Sequence, residues 1–138
     1  MKKLYEKIIA SLIFSTKRSD YSKDIWPFTV ILNLSAAISF NIASIWMIIN
    51  KYFFPHFCDF MSLEIFSNKT YNELANFIVY LFLPICLFNY LYIFYKKRYV
   101  LLEEKYQNNN HMKIGRIYFG LSWFGYFAIF FWIYIIFK

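Results

Sequence analysis

The chain has 138 residues and a net charge of +7; 60% of it is hydrophobic, 25% is Phe, Trp or Tyr, and 17% is charged. A soluble domain averages ~45–50% apolar and ~25% charged residues, and one of this size buries only about two-thirds of its unfolded surface, too little to hide so many rings. A soluble globule and a disordered chain are both excluded, which leaves an all-α integral membrane protein.

Residues 1–22 read as an amphipathic helix. Leu4, Tyr5, Ile8, Ile9, Leu12 and Ile13 fall on one face, with Lys3, Glu6, Lys7 and Ser11 opposite. Such a helix is expected at the interface of the cytoplasmic leaflet, its lysines toward anionic headgroups, or packed on the second connection between spans. It does not read as a signal peptide, because the apolar stretch Ile8–Phe14 is short and meets Thr16-Lys17-Arg18 without a small-x-small cleavage site.

Residues 23–138 read as a single three-span membrane domain. No charged residue occurs from Ile25 to Asn50, from Leu74 to Tyr95 or from Ile117 to Phe137. The shortest of these runs is about 31 Å long as a helix, enough for a hydrocarbon core of about 30 Å. The spans are therefore placed at about 26–50, 73–95 and 116–137. Leu, Ile, Phe and Val contribute on the order of −5 kcal/mol to the insertion of each. Asp24 is expected to cap the first span with Pro27 in its first turn, and Pro55 to end it. Thr70 and Glu73 have capping-box spacing at the start of the second. After Tyr95 the sequence holds no breaker, so the second helix is expected to project past the membrane, on the cytoplasmic side, to about Tyr106.

Lys and Arg give a direction. The N-terminal segment and the second connection hold twelve of these residues, the first connection and the C-terminus three. The positive-inside rule puts the N-terminus in the cytoplasm and the C-terminus outside. Basic residues that flank spans argue against a nucleic-acid partner. Twelve Lys against three Arg, with 20 Ile and six Ala, point to AT-rich coding and a bacterial inner membrane. Asn68-Lys69-Thr70 is also a glycosylation sequon, which matters only in a eukaryotic secretory route.

Polar side chains inside spans ask for partners. On the first span Ser35, Ser39 and Ala43 form a small-residue ridge, with Asn33, Ala37, Asn41 and Ser44 on an adjacent stripe; Gly115, Ser122, Gly125 and Ala128 share a face of the third. These residues fit close helix packing with interhelical hydrogen bonds, or the lining of an oligomeric pore; packing is the commoner use. Pro84 removes the bond to the Tyr80 carbonyl and should kink the second span, with Cys86, Asn89 and Tyr90 just after it.

The first connection carries Phe54, Phe57, Phe60, Met61 and Phe66, too apolar for a water-exposed loop and best suited to a partner or the outer leaflet. His56, Cys58 and Asp59 within it are potential metal ligands without a paired downstream cluster, so no metal or cofactor is expected. The spans contain no Asp, Glu, Lys, Arg or His, which argues against a catalytic site or a proton pathway within them. In layout, though in no motif, the chain resembles the compact three-span immunity proteins that protect bacteria from membrane-targeting toxins. The resemblance implies a small non-enzymatic inner-membrane protein that acts through helix and loop contacts with a membrane partner; an accessory subunit has the same layout. Lipid, another membrane protein or a second copy are the expected contacts, and a homo-oligomeric pore or membrane-disrupting effector is the alternative.

Overall fold

Apolar runs this long, almost free of Gly and Pro, have one economical way to satisfy their backbone, and the chain takes it. The computed structural model describes residues 2–19, 24–53, 64–106 and 112–136, and these form helices and no strand. The order is α1 (Lys2–Lys17), α2 (Trp26–Tyr52), α3 (Lys69–Asn76), α4 (Leu83–Phe94), α5 (Arg98–Tyr106) and α6 (Met112–Phe131). A π-helical segment, Phe77–Phe82, joins α3 to α4, and another, Trp132–Ile136, extends α6. Three of the helical stretches are long and apolar enough to cross a membrane: α2, the stretch that contains α3 and α4, and α6.

Helix α2 is the central one of the three, with α4 and α6 both packed on it. Of its most apolar stretch 39% is buried, against 11% for each of the other two. Phe40 marks the junction. Its ring stacks on Phe77 at 5.8 Å and meets Trp123 edge-on at 4.7 Å and Tyr126 at 4.9 Å, so one aromatic side chain touches all three spans. Aromatic pairs of this kind contribute about 0.5–1.5 kcal/mol beyond area burial.

The apolar core lies at one end. Ile8, Ile9, Leu12 and Ile13 of α1 pack with Val30 and Leu34 of α2, Ile93 of α4, and Leu102 and Tyr106 of α5. That is most of the face expected from the sequence, although Leu4 is 57% exposed, and part of the opposite face is covered too: Glu6 and Ser11, on the side the sequence assigns to solvent, are 6% and 2% exposed. Ser11 accepts a hydrogen bond from the Gly115 backbone at 3.0 Å, where α6 comes very close. A Cβ on Gly115 would stand 2.9 Å from Leu12 Cγ and 3.2 Å from the Ile8 carbonyl oxygen, while one on Gly125 would meet nothing within 4 Å.

Several local expectations are corrected. The second helix does not run unbroken to Tyr106: Lys96 and Lys97 adopt left-handed φ values of 52° and 53°, and α5 starts afresh at Arg98. The bend allows α5 to pack on α1. Asp24 does not cap α2; Ile25 holds the N-cap position without a side-chain cap, and Thr29 donates to its carbonyl. Pro27 does sit in the first turn. Asn68, not Thr70, caps α3, its side chain accepting from the Thr70 N–H at 2.8 Å. At Pro84 the distortion takes the form of the π-helical turn just before it, in which the Leu83 N–H reaches back to Ile78. Helix α2 ends at Tyr52, and Pro55 lies outside the described residues.

Two predictions follow from this geometry. A left-handed non-glycine residue costs roughly 1–2 kcal/mol, so Lys97→Gly should raise thermal stability in detergent by about 1 kcal/mol, whereas in an unbroken helix the same change would cost about that much. Gly115→Leu should destabilise by about 2 kcal/mol or more through overpacking against Leu12, and Gly125→Leu should leave the melting temperature of the isolated chain unchanged.

Candidate functional site

Three polar clusters bind the helices together, and each answers to one polar side chain that burial leaves in need of partners. The first centres on Asn89 of α4, which is fully buried. Its Nδ2 donates to Ser35 Oγ of α2 at 2.8 Å, and the Tyr5 hydroxyl of α1 donates to its Oδ1. Burial, and after it the neighbouring Tyr92 and Tyr118, pushes the Tyr5 hydroxyl up to about 12, so it remains a donor. Amide and hydroxyl together tie α1, α2 and α4 at one point.

The second cluster centres on Glu6. Its carboxylate accepts from Lys105 Nζ at 2.7 Å, from the Tyr106 hydroxyl at 3.3 Å and from Arg98 Nη2 at 3.5 Å, all from α5. Arg98 also donates to the Tyr92 hydroxyl at 3.0 Å, and its guanidinium lies 4.0 Å from that ring. Beside them Lys17 reaches Glu103 at 2.6 Å and lies 4.3 Å from the Trp26 ring. The Lys105 ammonium donating to Glu6 holds its carboxyl below the usual carboxylate range, against the opposing effect of burial, and the same bond pushes the Lys105 ammonium up.

The third cluster joins α2 to α6. Asn41 Nδ2 of α2 donates to the Tyr118 hydroxyl and to Ser122 Oγ of α6, both at 3.0 Å, and the Ser122 hydroxyl donates to the Tyr118 carbonyl at 2.9 Å. Ser44 donates to the Phe40 carbonyl at 2.7 Å.

The sequence-derived candidates are thereby placed. Ser35, Ala37, Ser39, Ala43, Ser44 and Ser122 are buried, and Asn33 and Asn41 are half-buried. Ser39 Oγ is buried without a hydrogen-bond partner among the described residues. Gly125 and Ala128 are not brought into the bundle: Gly125 faces open space and Ala128 is exposed. Pro84 is exposed on the outer side of its helix, and Cys86 is a half-buried free thiol. Phe66 is 50% exposed, fixed from behind by Asn72, which accepts from the Ile65 and Phe66 N–H groups and donates to the Phe66 carbonyl. Phe54, Phe57, Phe60, Met61, His56, Cys58 and Asp59 lie outside the described residues. Among the described residues no three His, Cys, Asp or Glu side chains group as metal ligands.

Two concave surfaces among the described residues are open to a ligand. An apolar groove of about 550 Å³ runs beside Phe66, Tyr71, Leu74 and Ile78. A cleft of about 440 Å³ is lined by Phe88, Leu91, Tyr92, Tyr95 and Arg98. Comparison with known protein families, curated proteins and solved structures finds no match for this chain.

Asn89 and Glu6 were the residues that sequence reading undervalued. The available signal was the Ser35 hydroxyl on a small-residue ridge, which needs a partner on a facing span, and Asn89 is one of two asparagines in the second charge-free run. Glu6 gave none, since an acid among lysines on a helix face reads as solvated.

The Glu6 cluster sets a pH dependence. Folding lowers this carboxyl's pKa, so its contribution is complete at neutral pH, shrinks as pH falls below the unfolded value near 4.5, and is gone below the folded value. Glu6→Gln should cost about 1–3 kcal/mol at pH 7 and flatten the acid limb of a plot of melting temperature against pH. An identical acid limb in the variant would show that other carboxylates carry it.

Proposed function

We propose that the protein is a small non-enzymatic component of a bacterial inner membrane, its N-terminus cytoplasmic and its C-terminus outside, that acts by docking on another membrane protein. An immunity-type or an accessory-subunit role fits this reading. The observation that carries it is the outer face of α6. Ile117, Leu121, Phe124, Ala128 and Phe131, with Ile135 just beyond, are all exposed and recur at alternating spacings of four and three. A face with that repeat can lie along another helix, and Gly125 beside it has room for close approach. The apolar surface near Phe66 adds a second contact at the end of the second span.

Internal hydrogen bonding weighs against the pore. A lumen built from Asn33, Asn41 and Ser44 needs polar groups that face outward between copies. Asn41 and Ser44 instead spend their donors inside the chain, on Tyr118, Ser122 and Phe40.

Cross-linking in native membranes tests the proposal. With Cys58 and Cys86 replaced, cysteines introduced at Phe124 and Phe131 should each capture one other membrane protein at a fixed stoichiometry. Purified protein in liposomes should leave ion gradients intact. Capture of lipid alone from both positions, or ion flux through a self-linked ring, would overturn it.

A further inference from the structure

The cleft between the end of α4 and the start of α5 changes character along its length. Phe88 and Leu91, 60% and 51% exposed, form its apolar arm and belong to the charge-free run of the second span. Tyr92 and Tyr95 form the middle, and Arg98 closes the far end. The left-handed pair Lys96 and Lys97 lies between Tyr95 and Arg98 in the sequence, at the rim rather than in the lining; both side chains are exposed, and Lys96 Nζ stands 5.4 Å from the Tyr95 ring. We propose that this cleft binds an anionic phospholipid, with an acyl chain along Phe88 and Leu91 and the phosphate among Lys96, Lys97 and Arg98.

Charge complementarity carries the argument. Glu6 is the carboxylate paired with this group of cations, and it already accepts from Lys105 at 2.7 Å, leaving Arg98 at 3.5 Å. Neither Lys96 nor Lys97 forms an ion pair among the described residues. Positive charge is therefore in excess beside the cleft. Arg98 is also fixed before any ligand arrives, since the Tyr92 hydroxyl and ring hold its guanidinium, and a preordered cation loses less entropy on binding. A soluble acidic peptide would find no use for the apolar arm, which lies along a span. A zwitterionic lipid would fill that arm but carries no net charge to match the cations. A lipid with a net negative headgroup meets both ends, and basic pockets at the end of spans are suited to such headgroups. The cleft does not include α6, so the site is separate from the face proposed for protein docking.

Native mass spectrometry of the full chain in detergent tests the assignment, with phosphatidylglycerol or phosphatidylcholine of matched chains as the added lipid. The wild-type chain should retain phosphatidylglycerol at least about thirtyfold more tightly. The double variant Lys96→Gln, Lys97→Gln should lose about thirtyfold in affinity for it, equivalent to about 1 kcal/mol for each lysine. Binding of phosphatidylcholine should not change. The double variant Lys51→Gln, Lys69→Gln removes the same charge at the other end of α2 and the start of α3, and should bind as wild type. Leu91→Trp, which fills the apolar arm at an exposed position, should weaken retention without lowering the melting temperature. Equal retention of the two lipids by the wild-type chain would overturn the assignment, and that comparison needs no variant to fold. Equal losses in the two lysine pairs would also overturn it by showing diffuse surface attraction. Displacement of the lipid by millimolar inorganic phosphate would do so as well, by showing a site for the headgroup charge alone.

Discussion

The carboxylate of Glu6 is the constraint from which the rest of this end of the molecule follows. It sits on α1 with its side chain 7% exposed, and a buried charge without partners is one of the costliest features a fold can contain. Its cations come from α5, and α5 reaches α1 only if the chain turns sharply after Phe94. The left-handed conformations of Lys96 and Lys97 supply that turn. Two such residues cost on the order of a few kcal/mol, and the Lys105, Tyr106 and Arg98 contacts to Glu6 together with the burial of Leu102 and Tyr106 offset it. The turn then leaves Arg98 against Tyr92 and opens the cleft beside it.

Two kinds of cohesion operate in one small chain. Helices α1 and α5 bury Ile8, Ile9, Leu12, Ile13, Leu102 and Tyr106 in the apolar core, where removal of side chains from water supplies the drive. In a bilayer the spans have no such drive, because lipid tails are as apolar as leucine. They associate through contacts that lipid cannot imitate: Asn41 to Tyr118 and Ser122, Asn89 to Ser35, and Phe40 among three aromatic rings. The small residues Ser35, Ala37, Ser39 and Ala43 let the helices come close enough for those contacts. Tyr5 joins the two regimes, since it belongs to α1 and bonds to the asparagine that ties α4 to α2.

The three long apolar helices were legible because charge exclusion over twenty or so residues is a long-range signal that no single side chain decides. The small-residue ridge on α2 was legible for the same reason, as a repeat. What the sequence concealed was pairwise. The break at Lys96-Lys97 carries no Gly, Pro or Asn, and only the distant Glu6 gives the chain a reason to turn there. The caps shifted by one or two residues because the choice between Asn68 and Thr70 depends on which side chain meets a free N–H, and Asn72 had already fixed the incoming strand of chain at Ile65 and Phe66. Gly125 and Ala128 share a helical face with Ser122 by arithmetic, yet α6 meets α1 at Gly115 and α2 at Ser122, while Gly125 faces open space and Ala128 is exposed.

That partial use bears on function. A chain that leaves its polar groups on the outside invites water or ions, and one that leaves apolar surface outside invites lipid or another apolar surface. Here the amides of Asn41 and Asn89 are turned inward and paired. The described outer surfaces of α4 and α6 are dominated by exposed Leu, Ile, Phe and Trp, including Leu83, Leu87, Leu121, Phe124 and Trp132. The exposed residues of α6 recur at alternating spacings of four and three, the period of one helix face, beside a glycine with open space. The cationic cleft lies elsewhere, between α4 and α5, so one molecule presents two surfaces of different chemistry. The two surfaces share no residue, so a ligand on one would leave the other open.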